Sequence, residues 1–103
     1  MITYIKKNIV EIMATKLEME PKEAAKVVNA MFETIRELMC SGKPECRIEV
    51  RNFGVFEVKR TAAKPKARNP KKPDQIIYIP PRLKTHFRPG KLLKSFLRRP
   101  LKD

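Results

Sequence analysis

The first forty residues carry two stripes of apolar side chains at helical spacing. The first stripe follows an i, i+4, i+7, i+8 pattern and consists of Ile5, Ile9, Ile12 and Met13. Thr3 is a suitable N-cap for it, which predicts a helix over residues 3–16. The second stripe follows Pro21, which suits a first helical turn, and consists of Ala24, Val27, Val28, Met31, Phe32, Ile35, Leu38 and Met39. Gly42 is its expected C-cap, so the second helix covers residues 21–40 and the helical body residues 3–40.

Beyond Pro44 the apolar period changes to two, which is typical of strands. Cys46, Ile48 and Val50 alternate with charged residues, a turn follows at residues 52–54, and residues 55–58 provide a second strand. This pattern predicts a hairpin. Strand-like sequence returns at residues 75–79 and ends at two prolines. We therefore expect a three-stranded antiparallel sheet, or saddle, built from residues 46–60 and 75–80.

Between these strands, residues 59–75 lose the apolar pattern and become strongly basic. Their cationic side chains are Lys59, Arg60, Lys64, Lys66, Arg68, Lys71 and Lys72. A disordered linker is one interpretation. Because strand sequence resumes at Gln75, we favour a long β-arm over residues 59–75 whose two segments meet at a turn containing Asn69 and Pro70. The ten steps from Arg60 to Pro70 reach roughly 33 Å at the rise of a strand.

A short amphipathic helix is expected near the end of the chain, over residues 89–98. Its apolar positions follow Pro89-Gly90 and consist of Leu92, Leu93, Phe96 and Leu97. Residues 99–103 are expected to form a loose tail. Together the patterns predict one α+β domain over residues 1–98, with two N-terminal helices, a three-stranded antiparallel sheet that carries the arm, and a short C-terminal helix.

The formal net charge of +13 is concentrated in one part of the chain. Residues 1–46 contain seven Lys or Arg and seven Glu, whereas residues 47–103 contain seventeen Lys or Arg and four acidic residues. A neutral first part followed by a strongly basic second part is typical of a protein that binds a polyanion. An arm of the expected length can also follow a groove of duplex DNA and neutralise several phosphates.

The residue types that catalysis or metal binding needs are scarce. His86 is the only histidine, the three glycines form no phosphate-binding loop, and Cys40 and Cys46 lack CxxC spacing. We expect both cysteines to be reduced and half-buried, and we expect no metal, no cofactor and no enzymatic activity. No apolar run approaches the ~18 residues of a membrane span. Because no signal peptide is evident, we expect a cytoplasmic protein.

The apolar residues are too few for a stable monomer of this length. Residues 59–75 add little to a core, and a small domain buries only a modest fraction of its surface. A second copy of the chain is the simplest way to complete the core, so we expect a dimer.

Three segments, taken in order, resemble the bacterial HU and integration host factor family. They are FGVFEV at residues 53–58, RNP at residues 68–70 and FRPGK at residues 87–91. The resemblance covers nearly the whole chain. It implies an intertwined homodimer or heterodimer, in which helices form the body, the sheet forms a saddle, and two arms embrace duplex DNA from the minor-groove side.

The resemblance also implies roles for single residues. Pro70 would intercalate between base pairs, while Arg68 and Asn69 would line the groove. On physical grounds alone, a proline ring at the tip fits a wedge and a simple turn former equally well. Asn52 stands where the family usually has glycine, and asparagine tolerates a left-handed backbone. The aromatics that would belong to the core rather than stack on bases are Phe53, Phe56 and Phe87.

The expected function is that of a histone-like architectural protein. It would bind duplex DNA mainly through phosphates, bend it with weak sequence preference and help to package the bacterial nucleoid. Contacts to the flanking DNA backbone are expected from Arg82, Lys84, Arg88, Lys91 and Lys94. Two alternatives are a sequence-specific bender like integration host factor and an RNA-binding or ribosomal protein. An RNA-binding or ribosomal protein would explain the net positive charge but not the β-arm.

Overall fold

The computed structural model describes residues 1–41 and 45–101. Its elements are α1 (Lys6–Leu17), α2 (Pro21–Ser41), β1 (Cys46–Val50), β2 (Gly54–Arg60), β3 (Lys64–Asn69), β4 (Lys72–Ile79), β5 (Leu83–Pro89) and α3 (Lys91–Leu97). Contacts divide the chain after Ser41 into a helical unit and a unit that holds the strands and α3. The predicted α+β class, with two leading helices, antiparallel strands and a short last helix, is confirmed.

The first helix begins later than its apolar pattern predicts. α1 starts at Lys6, because the side chain of Asn8 turns back and its Oδ1 accepts the backbone N–H of Ile5 at 2.8 Å. Ile5 is therefore the N-cap, and the prediction that Thr3 caps the helix was wrong. At the other end, Glu18 takes a left-handed backbone with a φ of 52°, which closes the helix.

The second helix starts at Pro21, as predicted, and ends at Ser41. Its expected C-cap, Gly42, lies outside the described residues. The side chains buried in this helical unit are Ala14, Ala24 and Val28. These small side chains let α1 and α2 approach closely. Much of the apolar stripe of α2 stays exposed in the single chain, including Val27, Met31 and Phe32.

The main sheet has three antiparallel strands in the order β1-β2-β5. The turn from β1 to β2 passes through Asn52, whose φ of 66° is the left-handed conformation expected there. Phe56 of β2 lies opposite Ile48 of β1 and Phe87 of β5. Phe53, Phe56 and Phe87 form one aromatic cluster, in which the ring centroids of Phe56 and Phe87 are 4.9 Å apart.

The third strand of this sheet is β5 and not the segment predicted at residues 75–80. Residues 75–79 of that segment belong to β4, which pairs with β3 in a separate two-stranded sheet. Pro80 and Pro81 have no N–H to donate to a strand ladder, so the returning chain leaves the arm there. Pairing of the returning chain with β2 begins at Leu83, which lies opposite Arg60.

Strands β3 and β4 form the β-arm, which follows β2 and precedes β5 along the chain. Its strands cover residues 64–79 rather than 59–75, and the turn lies at Pro70 and Lys71, where the tip was predicted. At the base, the Thr61 N–H donates to the Arg82 carbonyl at 2.7 Å, and the Arg82 N–H donates to Thr61 Oγ1 at 2.9 Å. These two bonds tie the outgoing and returning chains together below the arm.

The last helix is shorter than the predicted span of residues 89–98. Pro89 still belongs to β5, and Gly90 is the N-cap of α3. The Gly90 N–H donates to the Phe53 carbonyl at 2.7 Å, which attaches the start of α3 to the turn of the main sheet. In the expected tail, the Arg99 guanidinium lies 5.2 Å from the centre of the Phe96 ring. Residues 102 and 103 lie outside the described residues.

The two cysteines differ in their surroundings. Both are thiols, and Cys46 is half-buried as expected, whereas Cys40 is exposed. The expectation for Cys40 was wrong, because this residue lies one position past Met39 and so off the face of α2 that is partly buried.

Candidate nucleic-acid interface

The main sheet has one charged face and one apolar face. The register places Arg47, Glu57 and His86 side by side across its three strands. Because side chains alternate along a strand, the same face also holds Glu49, Lys59, Lys84 and Arg88. Its four lysine and arginine side chains outnumber its two carboxylates. The charged face is therefore cationic, while the opposite face carries Ile48, Phe56, Val58 and Phe87.

Glu57 lies at the centre of the charged face, and its side chain is only 3% exposed. Arg88 Nε lies 2.7 Å from its Oε1, and Arg47 Nη2 and Lys59 Nζ each lie 3.4 Å from its Oε2. Burial acts to raise the pKa of this carboxyl. The attraction of Arg88, Lys59 and Arg47 outweighs it, so the pKa lies below the ordinary value of 4.5.

The lowered pKa of Glu57 predicts a specific loss of stability in acid. Such a carboxylate stabilises the fold above its unfolded pKa, and this contribution disappears as the pH falls through the folded pKa. The melting temperature should therefore drop as the pH is lowered through 4.5 and below. Glu57→Gln should melt at a lower temperature than the original chain at neutral pH. Its melting temperature should also fall less on acidification, as measured by circular dichroism.

The control for this prediction is Glu49→Gln. Glu49 lies on the same face, but its side chain is 70% exposed. That variant should keep the acid profile of the original chain. If the melting temperature of Glu57→Gln declines as steeply with acidification as that of the original chain, Glu57 does not contribute in this way.

The β-arm presents its basic side chains to solvent. Those exposed along its strands and turn are Lys64, Lys66, Arg68, Lys71 and Lys72. Arg68 lies opposite Ile76, and Ala67 lies opposite Ile77, so the two pairs occupy different faces of the arm. Ile76 and Tyr78, at alternate positions of β4, are both more than half exposed. One face of the arm thus combines cationic and apolar surface, which suits a groove that has phosphates at its edges and base and sugar surfaces within.

The tip of the arm is braced by the side chain of Asn69. Its Oδ1 accepts the backbone N–H of Lys71 at 3.0 Å, across Pro70, and its Nδ2 donates to Gln75 Oε1 at 3.4 Å. The first bond forms an Asx turn. The strand register shifts here, because Arg68 pairs with Ile76 and the next residue, Asn69, pairs with Lys72. β4 therefore has extra residues between these two pairings, and Gln75 is one of them. Pro70 is exposed at the end of this braced turn.

We expect Asn69→Ala to loosen the tip, because it removes both bonds. Hydrogen exchange of the Lys71 amide, measured by NMR, should become roughly fivefold faster for a loss of about 1 kcal/mol. Asn69→Ser keeps an oxygen that can accept from Lys71 and should restore part of the protection. Gln75→Ala removes only the weaker bond and serves as the matched control. Equal exchange rates in all variants would rule out the bracing role.

The structure brings some of the predicted contact residues together and separates others. Lys59, Lys84 and Arg88 share the charged face, whereas Arg60 alternates onto the opposite face. The Arg60 backbone N–H donates to Glu45 Oε2 at 3.1 Å. Outside the main sheet, Arg82 lies at the base of the arm and Lys91 and Lys94 lie on α3.

Arg47 is a candidate contact residue that the sequence pattern did not single out. It lies on β1 directly opposite Glu57 and half exposed, next to two predicted contact residues, Lys59 and Arg88. The signal was present in the period-two alternation of β1, which puts Arg47 on the face away from Ile48. Its importance depends on the register with β2, which the alternation alone does not define.

Residues 1–41 and 45–101 contain neither a cluster of metal ligands nor a membrane-spanning helix. No group of three or more His, Cys, Asp or Glu side chains there is arranged to hold a metal ion. None of the helices in that part of the chain is long and apolar enough to cross a membrane.

The fold and the site define a class: small α+β proteins that present a cationic sheet face and an exposed basic β-arm to a polyanion. The family model described as bacterial DNA-binding protein matches residues 4–98. The chain therefore belongs to this family, that of HU and integration host factor, as the three sequence segments had indicated.

Individual relatives cover most of the chain. It is 35% identical over 90 residues to DNA-binding protein HU-1 of Halalkalibacterium halodurans, and the alignment covers 87% of this chain and 94% of the relative. It is 36% identical over 90 residues to integration host factor subunit alpha of Pseudoalteromonas atlantica, with 87% of each chain covered. Among solved structures, a cocrystal of Anabaena HU with DNA matches with a TM-score of 0.80 and 31% identity, covering 94% of this chain and all of that one.

Proposed function

We propose that this chain is an architectural protein that binds duplex DNA and bends it, without catalytic activity. The observation that carries the proposal is the exposed basic arm with Pro70 at its end, attached to a sheet whose charged face is cationic. Family membership and the match to an HU–DNA cocrystal support the same function. In a bacterial cell this activity places the protein on the nucleoid.

Binding rests mainly on phosphates. The chain has a net charge of +13, and DNA carries one negative charge per ~1.7 Å of axis, so several cation–phosphate contacts form at once. The proposed contact residues lie on the arm and at its base, on the charged face and on α3, together with Arg60 at the end of β2. They are Lys59, Arg60, Lys64, Lys66, Arg68, Asn69, Pro70, Lys71, Lys72, Arg82, Lys84, Arg88, Lys91 and Lys94.

Bending follows from the position of Pro70 at the tip. Its ring is exposed on a turn held by Asn69, and a rigid apolar group presented in this way can enter between base pairs and kink the duplex. The kink moves further phosphates toward the charged face. Elastic bending of a short site costs of order 1–6 kcal/mol, which the added phosphate contacts offset.

The functional form we propose is a dimer. The single chain leaves large apolar side chains exposed on both units, including Met31 and Phe32 on α2, Phe53 in the turn before β2 and Phe87 on β5. A second copy can cover these surfaces and provides a second arm. A related subunit is an alternative partner, and one relative of this chain is a protein named as integration host factor subunit alpha.

Sequence preference should be weak, because the minor groove distinguishes little beyond A·T from G·C pairs. The test is the affinity for a panel of unrelated duplexes at fixed salt, together with ring closure of short DNA fragments. We expect affinities that agree within about threefold and markedly faster ring closure. One duplex bound about a thousandfold more tightly would favour the site-specific alternative. Fragments that close no faster than naked DNA would refute bending.

RNA binding is the second alternative to be separated from this proposal. Competition between duplex DNA and duplex RNA of the same sequence, at one salt concentration, distinguishes the two. We expect DNA to be preferred, because the minor groove of A-form RNA is wide and shallow and gives two arms no narrow groove to enter. A clear preference for RNA would contradict the proposal.

A further inference from the structure

Three cations on the charged face converge on a single buried carboxylate. Arg88, Lys59 and Arg47 come from three different places on the sheet, and each lies within 3.4 Å of a Glu57 carboxylate oxygen. Their side chains nevertheless stay 52% to 60% exposed. Glu57 is therefore covered by its partners, while the partners keep surface for another ligand.

The donors of these side chains are only partly used by Glu57. A guanidinium has five N–H donors in a planar fork, and Arg88 is within hydrogen-bond distance of Glu57 through Nε, which leaves its Nη groups. Arg47 Nη1 also lies 3.7 Å from Glu49 Oε1. Lys59 has three donors on Nζ, of which one suffices for Glu57. The outward donors of the three cations can thus reach an anion placed over the sheet.

Without the carboxylate, three positive groups on one small patch would repel each other and separate. Glu57 compensates part of this charge from below, so the cations stay together in one arrangement before any ligand arrives. Fixing long side chains in advance reduces the entropy that is lost when a ligand binds. A buried negative charge can therefore increase the affinity for a polyanion that it would otherwise repel.

We propose that Arg47, Lys59 and Arg88 form one phosphate-binding site for the DNA backbone and that Glu57 is its positioning residue. The proposal rests on the proposed DNA-binding function and adds Arg47 to the contact residues. The ligand is a phosphate of the duplex, which accepts hydrogen bonds from guanidinium and ammonium groups together. Glu57 does not touch the phosphate and acts through the three cations.

The decisive comparison is between Glu57→Gln and Glu49→Gln in the full-length chain. Both variants remove one negative charge from the same face, so simple electrostatics predicts equal or tighter DNA binding for each. We expect Glu49→Gln to bind a 30-base-pair duplex at least as tightly as the original chain. Glu57→Gln should bind it roughly threefold to tenfold more weakly despite its added positive charge, with a shallower dependence of log K on log salt. If both variants bind equally, or if Glu57→Gln binds more tightly, the positioning role is overturned.

A second pair of variants tests the site even if Glu57→Gln folds poorly. Arg47→Gln and Arg36→Gln each remove one positive charge, but Arg36 lies on α2 and is not one of the proposed contact residues. Arg47→Gln should weaken binding roughly threefold to tenfold and reduce the salt slope by about 1 per chain, whereas Arg36→Gln should keep the original slope. Equal slopes in the two variants would remove Arg47 from the contact set. If the original chain itself fails to bind duplex DNA, the proposed function fails; if only these pairs behave alike, the phosphate site alone fails.

Discussion

Pro70→Ala should strongly reduce the bend that the protein imposes on DNA while changing affinity only about threefold. The wedge contributes to the kink, which is of order 20–90° in proteins that insert an apolar side chain. Most of the binding free energy comes instead from phosphate contacts made elsewhere on the arm and the charged face. Fluorescence energy transfer between the ends of a short duplex measures the bend, and titration of the same duplex measures the affinity.

The matched control for Pro70 is Pro65→Ala. Pro65 is also an exposed proline of the arm, but it lies on β3, away from the turn. This variant should keep the original bend. Parallel losses of bend and affinity in Pro70→Ala would assign that residue to turn formation or general contact rather than to insertion. Loss of protection at the Lys71 amide in the same variant would identify turn formation as the cause.

Gly54→Ala should be the most destabilising single methyl addition in the main sheet. A Cβ at this position would lie 2.6 Å from the Arg88 carbonyl oxygen and 2.7 Å from two atoms of the Phe87 ring. The oxygen belongs to the paired backbone of β5, so the strand itself has to move. Overpacking of this kind costs about 1–3 kcal/mol, which lowers the melting temperature of a chain this size by roughly 5–20 °C. Thermal unfolding followed by circular dichroism measures the effect.

Gly90→Ala provides an internal comparison for Gly54. Its Cβ would lie no closer than 3.1 Å to Phe53 backbone atoms, so a smaller adjustment accommodates it. We expect the melting temperature to fall less than in Gly54→Ala. The reverse order would show that β5 moves aside easily at Gly54, and the close packing of the aromatic cluster would then contribute less to stability than its geometry indicates.

Local patterns in the sequence were reliable where a residue's own backbone preference decides the structure. Pro21 starts α2 because its fixed φ suits a first helical turn. Asn52 closes the hairpin turn because asparagine tolerates a positive φ. The alternation from Cys46 to Val50 identified β1 to the residue. Each of these structural features depends on only a few neighbouring residues.

The start of α1 and the third strand show where such patterns were insufficient. Thr3 and Asn8 both belong to residue types that cap helices, and only the folded backbone shows that Asn8 reaches back to Ile5. Residues 75–79 read as a strand and are one, but their partner is β3 and not β2. The two prolines at residues 80 and 81 marked the end of this strand. The start of β5 at Leu83, however, depends on its pairing with β2, more than twenty residues earlier.

The sequence by itself determined the class of fold, the separation of a neutral helical part from a basic part, and a basic arm with its tip at Pro70. These properties follow from periodicity, net charge and turn-forming residues, which are features of the sequence that do not depend on tertiary contacts. Only the tertiary structure decided that β5 completes the main sheet and that Glu57 is buried beneath Arg47, Lys59 and Arg88. The physical reason is that strand register joins residues distant in sequence. A charged side chain is identified as buried or exposed only when its cross-strand neighbours are known.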